Sequence, residues 1–212
     1  MDPGRLFVLV TLEGIDGTGK STLHKALAKS LEDFHPIFTR EPSETWVGEA
    51  VRRAIAEQKN PIVEALLFVA DHAEHINSII RPALAEGKLV ISDRYTDSRY
   101  AYQSVTLDGV IPKPLKWLQS LHNGWTIVPD RTFLLVMPID EALERLKVKT
   151  GREHFERKEV LEKVQTNYLE LAQADPSRFV IIDATKEKEE IVQFVSGAIR
   201  QGFQSSRSRR RR

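Results

Sequence analysis

Residues 6 to 27 read LFVLVTLEGIDGTGKSTLHKAL, and the change of residue type along them decides the fold class. The apolar run LFVLVTLE (6 to 13) has the length and composition of a buried strand, and helical periodicity runs from about Lys20 to Glu32. Between them GIDGTGKS (14 to 21) matches G-x-x-x-x-G-K-S in the strand-to-helix context that this pattern requires. Gly14, Gly17 and Gly19 let the backbone curl so that its N–H groups face one point, where the helix N-terminus adds partial positive charge. Such a point is built for phosphates. Gly14, Ile15, Asp16, Gly17, Thr18, Gly19, Lys20, Ser21 and Thr22 are the candidate residues of this loop. Lys20 is placed to reach the outer phosphates of a nucleoside triphosphate, and Ser21 to join the coordination of Mg²⁺.

Further along, strand-like runs alternate with helical periodicity: PIFT (36 to 39), KLVISD (88 to 93), TFLLVM (132 to 137) and RFVIID (178 to 183). A short helix is expected over 46 to 55, and Asn60 with Pro61 supplies an N-cap and a first-turn proline for a long helix ending at Gly87. Five strands separated by helices predict an α/β protein with a parallel sheet covered on both faces, and ligands at the carboxyl ends of its strands. A chain of 212 residues, 41% of them apolar, favours a single domain over 1 to 204. No stretch approaches the roughly 18 apolar residues of a membrane span, and there is no cysteine, so the expectation is a soluble, cytoplasmic protein with no membrane role.

The formal charge of +1 hides an asymmetry. Five of the 31 basic residues fall in the last eight, SSRSRRRR, which leaves 26 against 30 acids, or −4, for residues 1 to 204. The tail, 205 to 212, is expected to be disordered and solvated; gripping nucleic acid is the alternative use of so many arginines.

After the third strand comes DRYTDSRYAYQ (93 to 103). Asp93 is positioned to hold Mg²⁺ through its water shell, and Arg94 offers a bidentate fork for the phosphate of a second substrate. The chain has no Asn-Lys-x-Asp guanine reader, which counts against a GTPase.

With these residues in view the sequence resembles the thymidylate kinases, P-loop nucleoside monophosphate kinases that move the γ-phosphoryl of ATP to dTMP. The resemblance rests on GIDGTGKS, TREP (39 to 42) with GEAVR (48 to 52), LLF (66 to 68), DRY (93 to 95) with AYQ (101 to 103), PD (129 to 130) and YLELA (168 to 172). It implies the three-layer α/β/α P-loop NTPase fold with a small helical lid, here about 145 to 157, ATP with Mg²⁺ on the loop, and a homodimer. For dTMP it implies Asp16, Glu41, Arg52, Phe68, Arg94, Ser98, Tyr102 and Gln103, with Phe68 stacked on the base and Tyr102 against the sugar 2′ position. Gly17 carries no charge where one branch of the family has a loop arginine, so the lid is expected to supply it, from Arg145, Lys149 or Arg152.

One departure bears on the base. The family usually has an arginine four residues after the stacking Phe; this chain has His72 there, and Arg99 where a small polar residue is usual. On a helix Arg99 lies beside Tyr102 and Gln103, so Arg99 and neutral His72 are expected to read the O4 and N3 edge together. The alternative turns Arg99 outward to an acid such as Glu74 or Asp71. At the level of function, the alternative to dTMP phosphorylation is a P-loop regulatory paralogue that acts on nucleic acid through its tail.

Overall fold

The computed structural model describes residues 8–147 and 157–210, with side chains through residue 204. Chain order gives β1 (Leu9–Glu13), α1 (Lys20–Ser30), β2 (Ile37–Arg40), α2 (Trp46–Ala56), α3 (Pro61–His75), α4 (Arg81–Ala85), β3 (Val90–Asp93), α5 (Thr96–Thr106), α6 (Pro114–His122), β4 (Arg131–Val136), α7 (Ile139–Leu146), α8 (Lys158–Ala174), β5 (Phe179–Asp183) and α9 (Lys188–Arg210). All five strands pair in parallel, in the order β2-β3-β1-β4-β5, with helices on both sides of the sheet.

Burial follows that order. β1 and β3 are buried at every position because strands and helices surround them, whereas the edge strands are more open: no residue of β2 is fully buried, and β5 mixes buried with exposed positions. One core joins Leu23 and Leu27 of α1, Phe133 of β4, Tyr168 of α8 and Val195, Ile199 and Phe203 of α9. A second, smaller cluster packs Ile76, Ile80 and Ala83 against Leu9, Val90 and Tyr95.

Two caps follow the sequence rules: Asn60 accepts from the Ile62 N–H at 2.9 Å, with Pro61 at the first helical position, and Thr45 accepts from Gly48 N at 3.3 Å. The expected single helix from 61 to 87 is instead interrupted. A π-turn occupies Ile76–Ile80 between α3 and α4, and Pro82 is the second residue of α4. That proline has no N–H, and its ring would strike the carbonyl four residues back, so a widened turn lets the chain continue without the clash. α9 runs to Arg210. Arginine and serine both accept helical backbone at little cost, and nothing up to Arg210 breaks the pattern. Among the described residues no helix is long and apolar enough to cross a membrane.

Candidate active site

β1 ends at Glu13 and the chain turns at once through residues 14 to 19 into α1. The turn lies against α7: at Gly17, whose φ is +88°, a Cβ would stand 2.4 Å from the Ala142 carbonyl oxygen. Only glycine fits there. Thr18 Oγ1 donates to the Ile15 carbonyl at 2.9 Å, and Lys20 Nζ donates to the same oxygen at 2.7 Å. Burial, and next the charge of Arg94, lower the Lys20 amine to about 8, against Asp16, Asp93 and Glu13. Ser21 Oγ donates to Asp93 Oδ2 at 2.8 Å, which joins the start of α1 to the end of β3.

Beside this loop is the acceptor half of the site. Arg94 follows the last residue of β3 with a φ of +69°, a left-handed conformation that costs a non-glycine residue on the order of 1 to 3 kcal/mol. It is held there by its own contacts. Arg94 Nη2 pairs with Asp16 Oδ1 at 2.5 Å, and Nη1 donates to the Gly14 carbonyl at 3.2 Å and to Ser98 Oγ at 3.1 Å. Tyr102 donates to Asp16 Oδ2 at 2.8 Å, and its ring lies 5.0 Å under the Arg94 guanidinium. Burial works against the charge of Asp16, but Arg94 and then Lys20 outweigh it and hold the carboxyl at about 2. A permanently cationic fork and an ionised carboxylate therefore sit side by side at the strand ends.

These groups line one cavity of about 780 Å³. Residues 16 to 22 form one side of it, and Arg52, Phe68, Arg94, Ser98, Arg99, Tyr102 and Gln103 the other, with Glu41, Asp93 and Arg145 on the same surface. Gly14 and Ile15 lie behind the loop and contribute their carbonyls to Arg94 and Lys20. Arg52 donates through Nη1 to the Ser43 carbonyl at 2.8 Å, and Arg145 through Nη2 to Ala184 at 3.3 Å. Lys149 and Arg152 lie outside the described residues.

Three expectations need correction. His72 is not on the cavity surface: it is fully buried, with Nε2 on Thr126 Oγ1 at 2.8 Å and Nδ1 at 2.8 Å from both Glu41 Oε1 and Arg99 Nη2. It shares a face of α3 with Phe68, but one turn deeper. Nor does Arg99 point outward. It is 1% exposed and paired through Nη1 with Glu41 Oε2, while Asp71 instead accepts from the Ser43 N–H at 2.9 Å. Finally, Glu41 has both carboxylate oxygens occupied, by Arg99 on one side and by His72 and His75 on the other, so it supports the acceptor half from beneath.

Sequence reading missed His75 and His122, because nothing in a local pattern shows that α3 and α6 converge on Arg99. It also missed Thr185, Lys186, Glu187 and Lys188, which line the cavity beyond β5; the rule that ligands gather at the carboxyl ends of parallel strands was the available signal. The residues that could hold Mg²⁺ are one hydroxyl and one carboxylate: Ser21 at the start of α1 and Asp93 at the end of β3, bonded to each other. That set fits a hard, octahedral ion that keeps several waters and takes the rest of its oxygens from a substrate.

A family model described as thymidylate kinase matches residues 12–195. Among curated proteins, a "Probable thymidylate kinase" of Methanoculleus marisnigri is 62% identical over 204 residues, covering 96% of this chain and all of that protein. One from Methanospirillum hungatei is 57% identical, over 92% of this chain and 95% of its own, and one from Methanocorpusculum labreanum is 52% identical, over 91% and 98%. The loop, the Asp-Arg pair at the end of β3 and the cavity they share thus belong to a chain whose likeness runs nearly end to end, and the chain is a member of the thymidylate kinase family.

Proposed function

We propose that the chain phosphorylates dTMP to dTDP with ATP as donor. The observation that carries this reading is the Asp16–Arg94–Tyr102 group standing beside the phosphate loop in a single cavity. ATP lies on residues 14 to 22, and Lys20 exchanges the Ile15 carbonyl for phosphate oxygens. The acceptor phosphate meets Arg94, with Arg52 nearby. The base lies against Phe68, with Gln103 and Arg99 at its edge, and Tyr102 closes the sugar 2′ position against a ribose hydroxyl.

An oxygen of the dTMP phosphate attacks the γ-phosphorus in line, the bond from that phosphorus to the β–γ bridging oxygen breaks, and ADP leaves. Charge spreads over the migrating group, and fixed cations that meet it there lower the barrier. Lys20 and Arg94 supply such charge from the two sides, with Arg145 and, in the lid, Lys149 and Arg152 as further candidates. Mg²⁺, when bound at Ser21 and Asp93, would offset negative charge on the donor phosphates.

The reading includes a cytoplasmic location and a homodimer. For the latter the support is apolar surface on two helices that pack together: Trp46 of α2 is 75% exposed, and Val63 and Leu66 of α3 are also exposed. A single-chain mass in light scattering would overturn it. No observation favours the nucleic-acid-binding alternative. Release of ADP, followed by a coupled assay with and without dTMP, tests the activity. Turnover should require dTMP, and folded protein that shows none would overturn the assignment.

A further inference from the structure

Beneath the base end of the cavity three histidines surround Arg99 and Glu41, and elementary donor counting fixes the proton on two of them. His122 Nδ1 lies 2.7 Å from the Leu118 carbonyl, which only accepts, so Nδ1 carries the hydrogen and Nε2 accepts from Arg99 Nε at 3.2 Å. His75 Nδ1 lies 2.8 Å from Glu41 Oε1, so it donates there, and its Nε2 accepts from Thr39 at 2.6 Å. Glu41 is ionised: burial opposes the charge, but the guanidinium of Arg99 above all holds its carboxyl well below the usual range.

His72 is different. Its Nδ1 stands 2.8 Å from Glu41 Oε1, which can only accept, and 2.8 Å from Arg99 Nη2, which can only donate. Burial first, and Arg99 second, lower the ring to about 4, so near neutral pH it carries one proton and cannot satisfy both neighbours. With the hydrogen on Nδ1 it serves Glu41 and leaves Arg99 Nη2 facing a donor. With the hydrogen on Nε2 it accepts from Arg99 and sets a lone pair against Oε1. The partners of Nε2 do not decide between them, because the Thr126 hydroxyl at 2.8 Å and the Thr96 hydroxyl at 3.4 Å can each donate or accept.

We propose that His72 is a positioning residue that acts by changing tautomer: when a base carbonyl takes the hydrogen bond of Arg99, the His72 proton moves to Nδ1 and locks Glu41. This deepens the dTMP reading and rests on it. The ring keeps one proton throughout; only its site changes, by exchange with solvent. An amino group at the same place on the base, as in dCMP, gives Arg99 no acceptor and leaves His72 on its other tautomer. Discrimination between carbonyl and amino group is thus shared by a residue that never touches the ligand.

The test is two-bond ¹H–¹⁵N NMR of the full chain labelled in histidine, with His72 assigned by the signal lost in His72→Asn. Saturating dTMP should carry His72 Nδ1 from the unprotonated to the protonated nitrogen range, while His75 and His122 keep their tautomers. A His72 tautomer unchanged by dTMP overturns the proposal. ADP release measured on the same sample separates the two levels: no dTMP-dependent turnover defeats the dTMP reading, whereas turnover with an unmoved tautomer defeats only the switch. In kinetics His72→Leu, which can neither donate nor accept, should raise the KM for dTMP on the order of tenfold with a smaller change in kcat, and narrow the preference over dCMP. His72→Asn, whose amide can present either an oxygen or an N–H₂ group, should restore part of that preference. A preference within twofold of wild type in His72→Leu also overturns it.

Discussion

At the residue scale, Lys20 and Arg94 carry the chemistry because one is a buried cation and the other a partly buried one, and the present partners of each can be exchanged for phosphate. Lys20 Nζ is bonded to a backbone carbonyl, and its amine is lowered to about 8, so it remains mostly charged at neutral pH but is poorly solvated. A phosphate oxygen is a stronger acceptor than a neutral carbonyl, and binding replaces a bond charged on the donor side alone with one charged on both sides. Lys20→Ala should therefore lower kcat/KM about 10²-fold or more, with circular dichroism unchanged; near-normal turnover would remove this lysine from the mechanism. Arg94 is more constrained. Its left-handed backbone and its bonds to Asp16, Gly14 and Ser98 fix the fork before any ligand arrives, which reduces the ordering cost at binding.

At the element scale, the acceptor half depends on how closely α2 approaches the loop before it. A Cβ on Gly48 would stand 1.9 Å from the Ser43 carbonyl oxygen and 2.7 Å from its carbon, which are backbone atoms that no rotamer change can move aside. The loop cannot retreat freely, since Asp71 holds Ser43 by its N–H and hydroxyl and Arg52 holds its carbonyl. Gly48→Ala should cost about 1 to 3 kcal/mol and raise the KM for dTMP by displacing Arg52. Gly197→Ala, on the exposed face of α9 with nothing within 4 Å of the new Cβ, is the control and should be neutral or slightly stabilising in thermal melts. Equal melting points for the two variants would mean that the loop yields. Elements of this kind were legible to different degrees. The five strands and the phosphate loop could be read directly, because apolar runs and glycine spacing are local signals. The break at Ile76–Ile80 was not, because the helical periodicity continues through Pro82 and only the missing N–H betrays the turn. α6 was overlooked although Pro114 at its first position and buried Leu118 and His122 mark it. The placing of Arg99 and His72 depended on Glu41, a residue far off in sequence, and charge pairing across the fold leaves no local pattern.

At the scale of the whole molecule, the charges packed beneath the strand ends make stability depend on pH through terms of opposite sign. His72 and His122 are lowered by burial, and then by Arg99, from 6.5 to about 4 and about 3. The unfolded chain binds more protons than the folded one in that range, so these two add stability as pH rises toward 6.5. Glu13, at the end of β1, acts the other way. Its carboxylate accepts from the Tyr95 N–H at 2.8 Å, Ser98 Oγ at 2.6 Å and Tyr168 at 2.9 Å, yet burial, and next the charge of Asp97, raise it from 4.5 to about 7 against Ser98, Arg94 and Tyr168. Between pH 4.5 and 7 the folded protein keeps a proton that the unfolded chain has lost, so stability falls across that window, and by about 3 kcal/mol once pH exceeds the upper value. Glu13→Gln keeps an acceptor for Tyr95 and offers an amide to the two hydroxyls, but does not titrate. The histidine contribution is common to both proteins, so the difference between their stability curves isolates Glu13. Measured by chemical denaturation from pH 4 to 8, wild type should lose stability relative to Glu13→Gln as pH rises from 4.5 to 7, with no further change above it. Parallel curves would mean that Glu13 loses its proton in the folded protein at the same pH as in the unfolded chain, so that at neutral pH the site holds one more negative charge beneath Arg94.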